Sequence, residues 1–225
     1  MNLELLNFLK EFVTENRLAL FNKVLNERTN YITIALEDIY QPQNASAVLR
    51  TADCFGIQDI HIIENRNEYN INPDVVVGAS KWLNLYKYNE KKNNTIDTIK
   101  HLKQKGYRII ATTPHTNDVL LNDFDVTKGK FALFFGTELE GISKNVIDNT
   151  DEYLRIPMYG FTESYNISVS AALVMQILTE KIRQTNIDWH LTQKEKDELM
   201  LEWILKTIKK SEELVNRFKK DNKLK

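Results

Sequence analysis

Five polar side chains, spread over three segments, have the types and settings that binding chemistry requires. Asn44 and Arg50 lie in Asn44-Ala45-Ser46-Ala47-Val48-Leu49-Arg50, Glu138 lies in the glycine-bounded acidic loop 136–141, and Ser164 and Asn166 precede the apolar run 171–178. That run is a helix pattern, so Ser164 and Asn166 sit where the unpaired N–H donors of a helix start can meet a ligand; the same residue types also serve as plain N-caps. Asn44 follows the turn signal Gln41-Pro42-Gln43 and reads as the N-cap of a helix closed by Gly56. Arg50 is six residues further on, rotated by about 120° from Asn44 modulo one turn, so the two share no face, although a long Arg can reach back toward the helix mouth.

Other chemistries are excluded by the residues they would need. The loop Gly136-Thr137-Glu138-Leu139-Glu140-Gly141-Ile142-Ser143 has Walker-like glycine spacing, but Ile142 stands where the phosphate-binding Lys belongs, and its two carboxylates repel a triphosphate. Neither G-x-G-x-x-G nor G-x-S-x-G occurs. One cysteine, Cys54, excludes an intrachain disulfide framework, and the four histidines are too dispersed for a local metal cluster, so no metal is expected. Cys54 reads as a small core residue on the Asn44 helix. No apolar run approaches the ~20 residues of a membrane span, and Met1-Asn2-Leu3-Glu4 lacks a signal-peptide layout, so the expectation is a cytoplasmic protein with no membrane partner.

These side chains must be positioned by a framework, and 225 residues with 42% hydrophobic content can supply one. Strand-like runs at 31–39, 59–64, 83–88, 107–112, 130–135 and 152–158 alternate with helical patterns, among them 95–106 with a Thr start and a Gly stop. The expected fold class is α/β, a mostly parallel sheet with helices on both faces. Three regions are expected: an N-terminal helical extension (1–30), where Leu5, Leu6, Leu9, Phe12 and Val13 form an apolar face; the central domain (31–185); and a C-terminal basic helical extension (186–225).

The three polar segments, in this order, resemble the three motifs of the SpoU-type, or TrmH-like, RNA ribose 2'-O-methyltransferases of the SPOUT superfamily. The resemblance covers roughly 31–183 and makes Asn44 and Arg50 the first-motif pair, Glu138 the acidic residue of the second, and Ser164 and Asn166 the polar pair of the third. It implies S-adenosylmethionine as methyl donor, a trefoil-knotted core shaping the donor pocket, and a homodimer. It also implies that Thr112, Gly136, Ile156 and Tyr165 cradle the donor, largely through backbone groups. Methyl transfer from a sulfonium suits this residue set, because the leaving group departs neutral and the protein has only to align two reactants and manage one proton. A guanidinium is a poor base near neutral pH, so Arg50 either clamps the adjacent phosphate so that phosphate or water accepts the proton, or stabilises the developing alkoxide.

The whole chain carries a net charge of only -1, but 206–225 holds eight basic against three acidic side chains, a net +5. Lys209 and Lys210 there, with Lys181 and Arg183 near the end of the third-motif helix, are candidates for RNA phosphate contacts; a solvated tail is the other reading of the basic run. Both flanks resemble those of family members acting on guanosine 18 in the tRNA D-loop, which makes tRNA the expected partner. The alternatives are 2'-O-methylation of another tRNA or rRNA ribose, or a non-catalytic RNA-binding protein of the same fold.

Overall fold

The computed structural model describes residues 3–70, 72–76, 78–113, 118–137 and 140–222. The chain begins with α1 (Leu3–Lys10) and α2 (Glu15–Asn26), then alternates β1 (Ile32–Glu37), α3 (Pro42–Cys54), β2 (Asp59–Ile63), α4 (Pro73–Val76), β3 (Asn84–Tyr88), α5 (Thr95–Gln104) and β4 (Arg108–Thr112). It continues through β5 (Val119–Leu120), β6 (Phe131–Phe135), α6 (Lys144–Ile147), β7 (Glu152–Arg155) and α7 (Ile167–Arg183), and ends with α8 (Gln193–Thr207) and α9 (Ser211–Asp221).

Residues 29–189 form one compact unit, and the segments 1–28 and 190–225 together form another. The larger unit is built on a seven-stranded sheet of order β3-β2-β1-β6-β4-β7-β5, in which every pairing is parallel. Parallel strands buried on both faces read as unbroken apolar runs, and Phe131-Ala132-Leu133-Phe134-Phe135 is such a run, buried throughout. Alternate side chains supply the two layers. Ile34, Leu36, Ile110, Leu133 and Phe135 pack with Val48 and Leu49 of α3 and Val174 and Leu178 of α7, while Ala35, Ile109, Ala111 and Phe134 pack with Ile99 and Leu102 of α5 and Val146 of α6.

In the smaller unit α8 packs on α1, α2 and α9, with Phe21 and Trp203 ring centroids 5.6 Å apart and Phe8 and Phe218 5.3 Å apart. α8 opens with a capping box in which Thr192 and Glu195 each hold the other's backbone N–H.

The structure departs from the sequence expectations in several places: β1 ends at Glu37 rather than 39, and α1 ends at Lys10, which leaves Phe12 exposed beyond it. β7 stops at Arg155 rather than 158, since Pro157 has no N–H to continue the ladder. β5 is two residues long, too short to leave a sequence signal. Asn44 is not an N-cap: Pro42 takes the first helical position, Gln41 precedes it, and Asn44 falls in the first turn. Cys54 is exposed, because α3 turns Val48, Leu49 and Ala52 inward and carries its last residue outward. Gly56 closes α3 as expected, at φ +77.

Candidate active site

In open parallel sheets ligands bind beyond the carboxyl ends of the strands, where neighbouring connections diverge. At that edge of this sheet lies a cavity of about 380 Å³. Its walls come from Thr112 and Thr113 after β4, Phe135 to Thr137 after β6, and Leu154, Ile156 and Met158 at the end of β7. The loop 156–166, returning from β7 to α7, adds Glu163, Ser164 and Tyr165.

The loop after β6 is folded back on itself. Thr137 and Gly141 exchange both backbone hydrogen bonds, at 2.9 and 3.0 Å, and Gly141 adopts φ +68, a left-handed conformation that glycine takes without a steric penalty. Gly136 is packed so closely beneath this turn that a Cβ built on it would lie 2.0 Å from the Gly141 carbonyl oxygen. The buried Glu37 carboxylate at the end of β1 braces the start of α6, accepting from the Ser143 N–H at 3.0 Å and the Ser143 hydroxyl at 2.7 Å, as well as from the Thr95 hydroxyl at 2.6 Å.

A second cavity, also about 380 Å³, adjoins the first and shares Thr137, Glu140 and Ile167 with it. Its far wall is formed by Ile39, Tyr40, Gln41 and Asn44, and its rim by Arg66 and Asn67. Next to Ile167, which lines both cavities, the Asn166 amide donates to Asn44 Oδ1 at 3.1 Å. Asn166 Oδ1 caps α7, accepting from the Ser168 N–H at 2.9 Å. One side chain therefore ends the binding loop, starts the helix and holds the first turn of α3.

Thr112, Gly136, Ile156 and Tyr165 all line the first cavity, as does Ser164, while Asn44 lines the second. The Thr112 hydroxyl donates to the Phe134 carbonyl at 2.8 Å, so this residue contributes wall rather than a spare donor. Glu138 lies outside the described residues. Arg50 is exposed and lines neither cavity, and its side chain makes no hydrogen bond or ion pair with a described residue. Lys181 donates to the carbonyls of Asn122 and Phe124, both at 2.8 Å, and the Arg183 guanidinium lies 4.5 Å from the Trp189 ring centre. Lys210 pairs with Glu213 at 3.1 Å, and Lys209 is exposed.

Sequence reasoning did not single out Asp38, Tyr40 or Arg66. Asp38, at φ +52, accepts from the Asn65 and Arg66 N–H groups at 2.7 and 2.8 Å and so fixes the loop after β2. Tyr40 is 77% exposed at the mouth of the second cavity. Arg66 reaches Glu140 at 2.6 Å, and this hydrogen bond holds the Glu140 carboxyl below its usual pKa. The only sequence trace of Arg66 and Asp38 is their polar character, because their partners are brought in by the sheet.

An adenosyl sulfonium suits the first cavity on three counts. Its volume lies in the roughly 300–1,000 Å³ range of small-molecule sites. Ile142, Leu154, Ile156 and Met158 offer an apolar slot next to strand-end backbone groups. Glu140 and Glu163 put negative charge on the wall, which favours a cation and disfavours a polyphosphate.

A model of the SpoU rRNA Methylase family matches residues 31–176. The tRNA (guanosine(18)-2'-O)-methyltransferase of Borreliella burgdorferi is 44% identical over 207 residues, 92% of this chain and 93% of the relative. The enzyme of the same name from Escherichia coli is 30% identical over 71% of this chain and 67% of its own length. Among solved structures, the A. aeolicus TrmH/SpoU tRNA modifying enzyme superposes with a TM-score of 0.76 at 24% identity, covering 87% of this chain and 98% of that one. The SpoU methyltransferase AviRb from Streptomyces viridochromogenes, in complex with AdoMet, gives 0.60 at 18% identity over 72% of this chain and 65% of its own. These last two similarities speak for the fold.

Proposed function

This chain belongs to the SpoU rRNA Methylase family, and we infer that it transfers a methyl group from S-adenosylmethionine to a ribose 2'-hydroxyl of RNA, at guanosine 18 of the tRNA D-loop. The observation that carries the reading is the Asn166–Asn44 hydrogen bond, which ties the segment entering α7, whose Ser164, Tyr165 and Ile167 line the first cavity, to Asn44 on the wall of the second. One cavity suits the donor and the other the acceptor nucleotide. The position on tRNA follows the 44%-identical relative, whose name specifies it.

Thr112, Gly136, Ile156 and Tyr165 hold the donor, chiefly by shape and backbone, and Glu140 and Glu163 favour its positive charge. When bound, the donor supplies an electrophilic methyl carbon on a sulfur that leaves neutral. Holding the two reactants in line is worth on the order of 7 to 11 kcal/mol in ideal intramolecular cases, so positioning alone accounts for much of the rate. Ser164 and Asn44 orient the ribose, Asn166 fixes the loop and the helix start, and the family resemblance gives Glu138 a role in holding the pocket-forming loops. Arg50 acts on the 2'-oxygen as a cation, stabilising the developing alkoxide or clamping the phosphate that takes the proton.

Because Arg50 stands outside both cavities of its own chain, the reading includes a homodimer in which one protomer's Arg50 faces its partner's donor cavity. Exposed Tyr159 and Phe161 on the binding loop, with Val169 and Leu173 one turn apart on α7, support such a contact. Lys181, Arg183, Lys209 and Lys210 supply positive charge for tRNA phosphates, and the trefoil knot belongs to the same proposal. No helix among the described residues is long and apolar enough to cross a membrane; a cytoplasmic location, where tRNA is met, belongs to the proposal.

The test is to incubate the protein with isotopically labelled donor and unmodified tRNA and to map the product by mass spectrometry. Label on the ribose of nucleotide 18 is the expected result. Label on a base nitrogen, or none, overturns the reading.

A further inference from the structure

Arg66 and Glu140 come from different connections, after β2 and within the loop after β6, and meet at 2.6 Å on the rim of the second cavity. The base of Arg66 is fixed, because the Asp38 carboxylate accepts from its backbone N–H at 2.8 Å and from those of Asn65 and Asn67 at 2.7 and 3.4 Å. Its side chain is 59% exposed, with Nε 3.8 Å from the buried Asp38 Oδ2 and the outer guanidinium nitrogen on Glu140, which is 64% exposed. An exposed pair of this kind is held weakly and is easily exchanged for another anion. A guanidinium's planar fork suits two oxygens of a phosphate as well as it suits a carboxylate. Resting on the reading of the second cavity as the acceptor site, we propose that Arg66 is the group that seizes a backbone phosphate of the entering RNA, and that Glu140 holds it in waiting until the phosphate displaces the carboxylate.

Glu140 then occupies the place of the RNA phosphate and competes with it. The two residues must therefore influence RNA affinity in opposite directions, which a mere brace between two loops would not produce. Fluorescence anisotropy of labelled tRNA, with donor affinity measured separately by calorimetry, distinguishes the two.

Arg66→Ala should weaken tRNA binding about three- to tenfold and lower the salt dependence of log Kd by about one phosphate's share. Donor affinity should not fall in this variant, since Arg66 is absent from the donor cavity wall and its loss leaves the Glu140 carboxylate on that wall without its Arg66 partner. Arg66→Lys should fall between wild type and Arg66→Ala, because a lysine keeps the charge without the fork. Glu140→Gln should tighten tRNA binding. Weakening in both variants, or no change in either one, overturns the proposal. Failure of the methyltransferase reading would look different: the unaltered protein itself would neither bind the donor nor methylate tRNA.

Discussion

At the scale of single residues, the site depends on contacts between side chains and backbone that local composition does not reveal. Gly136 is the sharpest case. Its glycine is required by space rather than by a positive φ, since the Gly141 carbonyl oxygen stands 2.0 Å from any added Cβ. Gly136→Ala must push the 137–141 turn outward, so the expected cost is about 1–3 kcal/mol of stability, the usual range for overpacking. Donor affinity should fall more than tenfold, and calorimetric donor binding at wild-type strength would refute that. Asn166 separates two roles in one side chain. Asn166→Ser keeps an N-cap of nearly equal quality but is too short to reach Asn44, so thermal stability should stay within a few degrees while methyl transfer drops at least about tenfold. Undiminished transfer would remove the Asn166–Asn44 bond from the mechanism. The motif residues themselves were legible because their types are unusual where they stand. Asp38 and Arg66 were not, because ordinary charged residues gain a function only from partners the fold supplies, here Asn65 and the distant Glu140.

At the scale of elements, the apolar runs were legible for a physical reason: a parallel strand covered on both faces tolerates few polar side chains, and Ile32–Glu37 and Phe131–Phe135 are buried at every position. Strand order was not legible, since no local pattern states that β6 inserts between β1 and β4 or that β4 separates β6 from β7. The exact start of α3 escaped as well, because Pro42 at the first position outweighs the capping preference of Asn44. The polar His61 inside β2 has a consequence at this scale. It is buried, stacked 5.0 Å from Tyr86, within 3.0 Å of the Tyr88 hydroxyl, and near His101 and Lys105. Burial, then the charges of Lys105 and His101, press its pKa down to about 3. The folded state therefore keeps His61 neutral where the unfolded chain, near 6.5, binds a proton. The stability this residue leaves intact above pH 6.5 is lost as pH falls, by up to about 1.4 kcal/mol per pH unit, until the folded form protonates as well. His61→Phe should thus flatten the acid limb of a urea-unfolding series between pH 6.5 and about 4, and an unchanged slope would show that His61 is not the source.

At the scale of the whole molecule, the sheet gathers Thr112, Gly136, Ile156 and Tyr165 and the Asn44–Asn166 pair at one edge but leaves Arg50 outside both cavities of its own chain. If Arg50 is the catalytic cation of the proposed reaction, its absence from the wall it should serve is an argument for assembly. In a two-fold dimer the same contact is made twice, so each donor cavity would be completed by the opposite chain's Arg50. This has an arithmetic consequence. At a donor concentration well below the Kd of Gly136→Ala, Arg50→Ala and Gly136→Ala should each be nearly inactive alone, yet co-refolded in equal amounts they form mixed dimers in which one of the two sites combines an intact cavity with an intact arginine. With random pairing half the dimers are mixed and half of their sites are whole, so about a quarter of wild-type activity should return. The measurement is single-turnover methyl transfer to tRNA on the refolded mixture, with the mixed species verified by native mass spectrometry. If mixed dimers form and remain inactive, Arg50 serves the cavity of its own chain, and its exposed side chain must swing across the mouth of α3 to reach the ribose.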